Sequence, residues 1–291
     1  MAVRSIIGRS ILRVLPRSGG RAIVPAMQLA DQDCAIPSSG LDADWRALLA
    51  LSASAPCAVP CRPDDAASPL RALYEPLLAI GPTCAVAHLG QSLDGHIATA
   101  KGASHYVTGP EDILHNHRMR ALFDAVVVGA GTVCHDDPRL TVRRCSGADP
   151  VRVVIDTERR LGRAYQVFQD GAAETLLLTA TDRADGAAHG AASVVGVPRR
   201  GAGLCPMAIR EILAERGLKR VFIEGGGVTV SRFVEAACLD RLQVTIAPLI
   251  IGSGRPGIAL PQVDTLSDGL RPPVRRFLLG DDVMFECIFD D

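Results

Sequence analysis

The chain has 291 residues, of which 48% are hydrophobic, 22% are charged and 4% are aromatic. This length allows one large domain or two small ones, and the composition is ordinary for a soluble globular protein. The formal net charge of −1 gives no global attraction to nucleic acid or to an anionic membrane, so any anion-binding site must be local. No run of about 18 apolar residues occurs in the chain, and we expect no membrane span.

The amino-terminal part of the chain differs from the rest. Residues 1–40 are rich in arginine and contain no acidic residue before Asp31, which is typical of a disordered basic tail and, less closely, of a transit peptide. Residues 41–82 are predicted to be a short helical extension, with helix candidates at 44–51 and 70–79. The scattered cysteines lack a CxxC pair, which indicates reduced thiols in a cytoplasmic protein and no metal site.

From residue 83 onwards, strand and helix patterns alternate. Strands are predicted at 83–89, 124–129, 151–155, 175–179, 220–224 and 241–247. Helices are predicted at 110–123, 206–216 and 228–238, and a hairpin is predicted at 276–289 with its turn at Gly280. This order predicts one α/β domain over residues 83–291, with a mixed, mostly parallel sheet flanked by helices and a C-terminal antiparallel hairpin.

Ligands of open α/β sheets bind where strands end and helices begin, and four such junctions stand out here. The segment from Gly90 to Gly95 follows the first strand. It is equally consistent with a backbone that a ligand approaches closely and with a simple turn. The run VVVGAGT, which ends at Thr132, allows backbone N–H groups and a hydroxyl to meet a phosphate or a ribose. It lacks the third glycine of GxGxxG, so a Rossmann dehydrogenase is disfavoured.

The other two junctions carry carboxylates. Asp136 and Asp137 precede Pro138 and suit a ribose contact, a metal site or a solvated loop. Glu224 is followed by three glycines between a strand and a helix, a pattern that favours close contact with a phosphate group. His115 and His117 lie two residues apart on a predicted helix, so they face different sides and are expected to have structural or surface roles.

Taken together, these segments resemble the pyrimidine reductase domain of riboflavin biosynthesis, the C-terminal half of a bifunctional deaminase-reductase. The resemblance covers residues 83 to about 290 and rests on several collinear motifs. They are LGQSLDGHIAT (89–99), GASHYVTG (102–109), RMRALFDAVVVGAGTV (118–133), DDPRLTVR (136–143), PVRVVID (150–156), FIEGGG (222–227) and APLIIG (247–252).

The resemblance implies a dihydrofolate-reductase-like fold, a homodimer, and NADPH-dependent reduction of a ribosylamino group to a ribitylamino chain. The residues implied to contact NADPH are Gly90, Tyr106, Thr132, Asp136, Thr157, Gly226 and Gly227. Those implied to contact the phosphorylated substrate are Ser104, Arg120, Leu140, Arg143 and Glu224. The two arginines suit a terminal phosphate, because charge-assisted forks to phosphate are strong. The resemblance names no proton donor.

Two departures from the family pattern affect the predicted activity. Residues 1–80 contain neither the HxE nor the PCxxC motif of the zinc deaminase, so deamination is not predicted. His88 stands where many family members have lysine, and Gln91 replaces a smaller residue. If position 88 faces the ligand, His88→Lys is expected to lower KM, because lysine is a permanent cation at neutral pH.

The sequence leaves two alternatives open. One is a paralogous NADPH reductase of another pyrimidine-, pterin- or deazaflavin-like metabolite, as the changed residues at 88 and 91 suggest. The other is a protein that binds a nucleotide without turnover, which the presence of Asp136, Arg143 and Glu224 argues against. The expected partners are a small phosphorylated substrate and a second copy of the chain, with no nucleic acid and no membrane.

Overall fold

A computed structural model describes residues 42–53 and 68–289. The strands are β1 (Cys84–Ser92), β2 (His96–Thr99), β3 (Ala125–Gly129), β4 (Val151–Ile155), β5 (Thr175–Ala180), β6 (Ser193–Val197), β7 (Arg199–Arg200), β8 (Gly203–Leu204), β9 (Arg220–Glu224), β10 (Arg241–Ala247), β11 (Gly254–Pro256), β12 (Val274–Leu279) and β13 (Asp282–Ile288). The α-helices are α1 (Asp42–Ala53), α2 (Pro69–Leu78), α3 (Pro110–Leu122), α4 (Ala130–Asp136), α5 (Pro206–Glu215) and α6 (Gly227–Glu235).

A nine-stranded sheet organises these residues in the spatial order β12-β13-β10-β1-β9-β3-β4-β5-β6. The strands from β10 to β6 pair in parallel, whereas β13 pairs antiparallel with both β10 and β12. The interior strands β3 and β5 are buried along almost their whole length, as continuous apolar runs in a parallel sheet must be. The predicted fold class, a mixed and mostly parallel sheet with a C-terminal antiparallel hairpin, is confirmed.

Each face of the sheet has its own hydrophobic core. On one face, α3 packs its buried Met119 and Leu122 against strand residues such as Phe222. On the other face, α5 and α6 contribute Leu213 and Phe233. The helices therefore cover both faces, which is the usual arrangement for a parallel sheet.

The helices α1 and α2 belong to the same core as α3. Trp45 of α1 and Leu70, Leu73 and Leu77 of α2 are buried in that cluster. The helical segment that the sequence separates from the sheet domain therefore packs directly onto it. The tail predicted for residues 1–40 lies outside the described residues. Within them, no helix is long and apolar enough to cross a membrane.

Several short elements of the structure are not predicted from the sequence. The helix α4 follows β3 directly, where the sequence indicates only a turn of small residues. The strands β2 and β11 form a separate antiparallel pair, and the sequence contains no local signal for a pairing between such distant short segments. Residues 193–197 form the edge strand β6, which has mostly partly buried side chains and a glycine in its middle.

The connections after β9 and β3 leave the sheet in opposite directions. The chain passes from β9 through α6 to β10, on the far side of β1, whereas it passes from β3 through α4 to the neighbouring strand β4. Adjacent parallel strands with diverging connections leave a crevice at their carboxyl ends, and ligands bind there in open α/β sheets. The crevice between β9 and β3 is therefore the expected ligand-binding region of this sheet.

Candidate functional site

A turn of glycines forms one wall of this crevice. Gly225 and Gly226 follow β9 with φ angles of 65° and 73°, a left-handed conformation that favours glycine. A Cβ atom at Gly226 would lie 3.0 Å from the Thr132 hydroxyl on the opposite wall. Gly227 differs, because a side chain there would collide with the backbone carbonyl of Gly257. Packing explains that third glycine, whereas the first two shape the crevice.

The opposite wall comes from the junction between β3 and α4. Gly129 precedes α4, and a Cβ atom there would collide with the hydroxyl of Thr229 from α6. Thr132 lies on α4 rather than in an open turn. The crevice thus brings together two threonine hydroxyls, the N-terminus of α6 and the left-handed glycine turn. Such groups suit phosphate or ribose oxygens. Sequence reasoning found Thr132 but missed Thr229.

Arg120 and Glu224 form a buried ion pair beside the glycine turn. The Arg120 guanidinium donates to both carboxylate oxygens of Glu224, through Nε at 2.6 Å and through Nη2. The two side chains are only 8% and 17% exposed. Arg120 Nη1 also donates to the carbonyl of Thr141 at 2.9 Å. The Arg120 guanidinium is therefore already paired with Glu224, rather than left without a counter-ion for a two-point contact with phosphate.

Arg143 meets the same Thr141 from the solvent side. Its Nη1 donates to the Thr141 hydroxyl at 2.6 Å and to the Thr141 carbonyl at 3.3 Å. Burial lowers the Arg143 pKa, and the charges of Arg120 and Arg139 lower it further. Such crowding of like charges favours an anion in their midst. Arg143 is exposed, so its remaining donors face the solvent.

The loop that carries Arg143 is held by unusual backbone geometry and by a histidine. Leu140 is buried with a φ of 57°, so its side chain packs inward and positions the following residues. His117 accepts a hydrogen bond from the Arg143 backbone N–H at 3.0 Å. Burial, then Arg120 and Arg143, lower the His117 pKa to about 4. Neutral His117 is therefore structural, as expected, but it is buried.

The loop before α3 supplies Ser104 and Tyr106. Ser104 donates to Asp136 at 2.9 Å, so these two predicted ligand residues are neighbours. Tyr106 is 85% exposed with a φ of 64°. It lines a cavity of about 450 Å³ together with Arg144 and with Leu249, beyond the end of β10. An exposed aromatic ring in a strained conformation suits stacking against a flat ligand.

Gly90 and Thr157 lie apart from the crevice. A Cβ atom at Gly90 would lie 2.6 Å from Thr108, so the close approach at this glycine is made by a protein side chain. Asp94 in the same motif accepts from the backbone N–H groups of Ile251 and Gly252, which makes the motif a clamped turn. Thr157 follows β4, and its carbonyl accepts from the β5 residues Thr179 and Ala180.

The predicted residues thus lie along the carboxyl edge of the sheet from β10 to β4. These five neighbouring strands span four spacings of roughly 4.8 Å each, or about 19 Å. An edge of that length suits an elongated ligand. Among the residues that the structure describes, no group of three or more His, Cys, Asp or Glu side chains could hold a metal ion.

His88 lies under this edge, buried between β1 and α3. Its Nε2 atom lies 2.9 Å from Asp112 Oδ1 and 3.0 Å from the Thr245 hydroxyl. Burial alone would lower its pKa, but the Asp112 charge and hydrogen bond, together with Glu224, raise it. Sequence reasoning identified His88 as unusual but missed Asp112 and Thr245. The available signal was the spacing of Asp112 and Arg120, which places both on one face of α3.

Comparisons with known proteins agree with this picture. The family described as the RibD C-terminal domain matches residues 85–272. The 2,5-diamino-6-ribosylamino-4(3H)-pyrimidinone 5′-phosphate reductase of Methanothermobacter thermautotrophicus is 33% identical over 211 residues, which are 69% of this chain and 95% of that protein. The riboflavin biosynthesis protein RibD of Bacillus amyloliquefaciens is 36% identical over 165 residues, but this chain spans only 44% of its length.

Solved structures share the fold. The deaminase/5-amino-6-(5-phosphoribosylamino)uracil reductase of Thermotoga maritima superposes with a TM-score of 0.59 at 24% identity, covering 71% of this chain and 56% of that one. The riboflavin biosynthesis reductase of Saccharomyces cerevisiae superposes with a TM-score of 0.56 at 20% identity, covering 72% and 90% of the two chains. At these identities the likeness concerns the fold alone.

Proposed function

The chain belongs to the RibD C-terminal domain family, and on this basis we propose that it is an NADPH-dependent reductase of riboflavin biosynthesis. It converts the ribosylamino group of a phosphorylated aminopyrimidine to a ribitylamino group. The observation that carries the proposal is the Arg120–Glu224 pair with Arg143 beside it, next to a crevice that glycines keep open. A phosphate-bearing substrate and a dinucleotide both find complementary groups along one edge of the sheet.

The arginines account for the phosphorylated end of the substrate. Three arginines lie in or next to the loop around Thr141, namely Arg139, Arg143 and Arg144. The negative charge of Glu224 opposes the repulsion that the neighbouring arginines exert on Arg143. A phosphate there gains charge-assisted hydrogen bonds from the exposed guanidinium groups. Glu224, held by Arg120, presents its partly exposed carboxylate to a hydroxyl or an amino group of the substrate.

The crevice between β9 and β3 fits the cofactor. The backbone of Gly225 and Gly226, the N-terminus of α6 and the hydroxyls of Thr132 and Thr229 would hold its phosphate and ribose oxygens. Asp136, Tyr106, Gly90 and Thr157 are proposed as further contacts. When bound, NADPH supplies a hydride.

The substrate chemistry needs little covalent help from the protein. The ring-opened ribosylamino group carries a C1′=N double bond, which takes up a hydride at C1′ and a proton at nitrogen to give the ribitylamino chain. The protein's part is to hold C1′ against the cofactor and to keep the phosphate end of the substrate fixed. Holding the two reactants in this geometry makes the hydride transfer effectively unimolecular. The Arg120–Glu224 pair and the rigid Leu140–Arg143 loop do this positioning.

The test is NADPH oxidation by the purified chain with two substrates. They are 2,5-diamino-6-ribosylamino-4(3H)-pyrimidinone 5′-phosphate and its deaminated uracil counterpart. We expect turnover with at least one of them and a product heavier by two hydrogens in mass spectrometry. A folded protein that oxidises NADPH with neither substrate refutes the assignment.

The preference for NADPH, the homodimer and the cytoplasmic location are further proposals, supported by the resemblance to the family. Titration with NADPH and NADH tests the first, and the mass in solution by light scattering tests the second. Cell fractionation tests the third.

A further inference from the structure

Four charged side chains alternate in sign across the interface between α3 and the sheet. Asp112 contacts His88, and Arg120 contacts Glu224. His88 and Glu224 are direct neighbours in the pairing of β1 with β9. Asp112 and Arg120 are two turns apart on one face of α3. The row of Asp112, His88, Glu224 and Arg120 is therefore neutral only when His88 carries a proton.

Hydrogen bonding fixes the direction of the contacts that His88 makes. The Thr245 hydroxyl donates to Asp112 Oδ1 at 2.7 Å, so its remaining capacity at His88 is to accept. His88 Nε2 therefore donates to both Asp112 and Thr245. Thr108 donates to the second carboxylate oxygen of Asp112 at 2.7 Å. Asp112 thus receives three donors and stays ionised, which favours the cationic form of the ring beside it.

The neighbouring His115 cannot take the proton instead. It lies between the Tyr74 hydroxyl at 2.7 Å from Nδ1 and the Gln243 side-chain oxygen at 2.9 Å from Nε2. Gln243 in turn donates its amide to Glu286. This chain of bonds is complete when His115 donates from Nε2 and accepts at Nδ1, which is the neutral form. Burial and the nearby His88 charge lower the His115 pKa to about 3.

We propose that His88 is a positioning residue of the reductase: its buried cation, anchored by Asp112 and Thr245, attracts the neighbouring Glu224 carboxylate and holds it in place for the substrate. This inference rests on the proposed function of the same site. The charged and titratable groups that face His88 are Asp112 and His115 from α3 and Glu224 from β9, while Thr245 and Gln243 of β10 and Asn116 of α3 are uncharged. Loss of the proton leaves the row with one excess negative charge beside the phosphate site.

The experiment measures kcat and KM against pH for the wild type and for three variants. In the wild type, KM for the phosphorylated substrate is expected to rise as pH increases and His88 loses its proton, while kcat changes less. His88→Gln removes the charge but keeps a polar side chain, so its KM is expected to be about 10-fold above the wild-type value while wild-type His88 is protonated, and to change little with pH. His88→Lys keeps a cation, so its KM is expected to stay low across the alkaline range.

Asp112→Asn provides the matched control, because it removes the anchor but leaves the imidazole. Its KM rise is expected at a lower pH than in the wild type, since His88 then loses its proton more readily. NADPH affinity by fluorescence titration is expected to be unchanged in all variants, because the glycine turn is not touched. A merely structural role would lower stability without moving the pH profile.

Two results would overturn the proposal. One is a His88→Gln enzyme that folds and has the wild-type KM at all pH values. The other is an alkaline rise of KM that persists in His88→Lys. If the wild type turns over neither substrate, the reductase assignment fails, and calorimetric titration of the same substrates against pH tests the His88 charge independently.

Discussion

Gly226 combines a backbone requirement with a steric one. Its φ of 73° disfavours any side chain, and a Cβ atom would also enter the space in front of Thr132. Gly217 has a similar φ of 81° but no atom within 4 Å of where its Cβ would lie. An alanine at position 217 would therefore cause conformational strain alone, whereas an alanine at position 226 would also occupy part of the crevice.

We expect Gly226→Ala and Gly217→Ala to lower the free energy of unfolding by a similar amount, about 1–2 kcal/mol, because both force alanine into the left-handed region. Only Gly226→Ala is expected to weaken NADPH binding, by at least about 10-fold. Urea denaturation and fluorescence titration measure the two effects. Equal NADPH affinity in both variants would show that the crevice is not the cofactor site.

Arg120 contributes to both stability and binding, because it is the partner of a nearly buried carboxylate. Arg120→Ala leaves Glu224 without its counter-ion, and we expect a loss of about 3 kcal/mol in the free energy of unfolding. Substrate KM is expected to rise at least about 30-fold, equivalent to roughly 2 kcal/mol.

Arg120→Lys tests the geometry of that pair. A lysine cannot reproduce the two-point contact with Glu224, so most of the KM effect is expected to remain. Exposed Arg160 provides the control, and Arg160→Ala is expected to change stability by less than about 0.5 kcal/mol. A wild-type KM in Arg120→Lys would contradict a role for the forked contact.

The helix α3 is the element around which the site is organised. Its buried residues include Asp112, His115, His117 and Arg120 as well as apolar side chains. Buried polar groups need hydrogen-bond partners, and these four residues find them on α2, β1, β9 and β10 and at the backbone of Arg143. This explains why α3 is a poor amphipathic helix and yet lies flat against the sheet.

The helix α2 is tied to α3 and to the sheet core. Leu73 is fully buried, and the Tyr74 hydroxyl bonds His115. We expect Leu73→Ala to lower the free energy of unfolding by about 3 kcal/mol, through lost burial and the cavity left behind. Met207, which is 49% exposed on α5, is the control, and Met207→Ala is expected to change stability by less than about 0.5 kcal/mol. A small effect of Leu73→Ala in chemical denaturation would mean that α2 is not part of the cooperative fold.

For the molecule as a whole, buried histidines set the response to acid. The folded pKa of His115, about 3, lies below its ordinary value of 6.5, so at pH 5 the unfolded chain binds a proton that the folded protein excludes. The stability that neutral His115 provides is complete above pH 6.5 and is lost as pH falls towards 3. Linkage gives a loss of about 2 kcal/mol between pH 7 and pH 5 from this residue. His88 acts in the opposite sense, because its pKa is raised.

Urea denaturation at pH 7 and pH 5 measures this loss. His115→Gln, which has no proton to bind, is expected to show a smaller decrease than the wild type. His105→Gln, at an exposed position, is expected to behave like the wild type. The same decrease in His115→Gln as in the wild type would assign the acid sensitivity to other groups.

Much of the architecture is local in origin, and the sequence alone determined it. Apolar runs such as 125–128 predict buried parallel strands that helices cover, because a strand of that kind is stable only when both faces are covered. The collinear motifs also indicated the reductase family. The starts of α3 and α5 follow from the prolines at their first positions.

What only the tertiary structure decided is which side chains meet. Arg120 and Glu224 are separated by 104 residues, and His88 and Thr245 by 157, so no local pattern pairs them. The resemblance implied that Arg120 and Arg143 both contact the phosphorylated substrate, and the fold adds that Arg120 is paired with Glu224 while Arg143 is exposed. The sequence presented His88 as a departure from the family pattern and left open whether it faces the ligand, whereas the fold buries it next to Asp112. Pairings of this kind depend on strand order and register, which long-range packing sets.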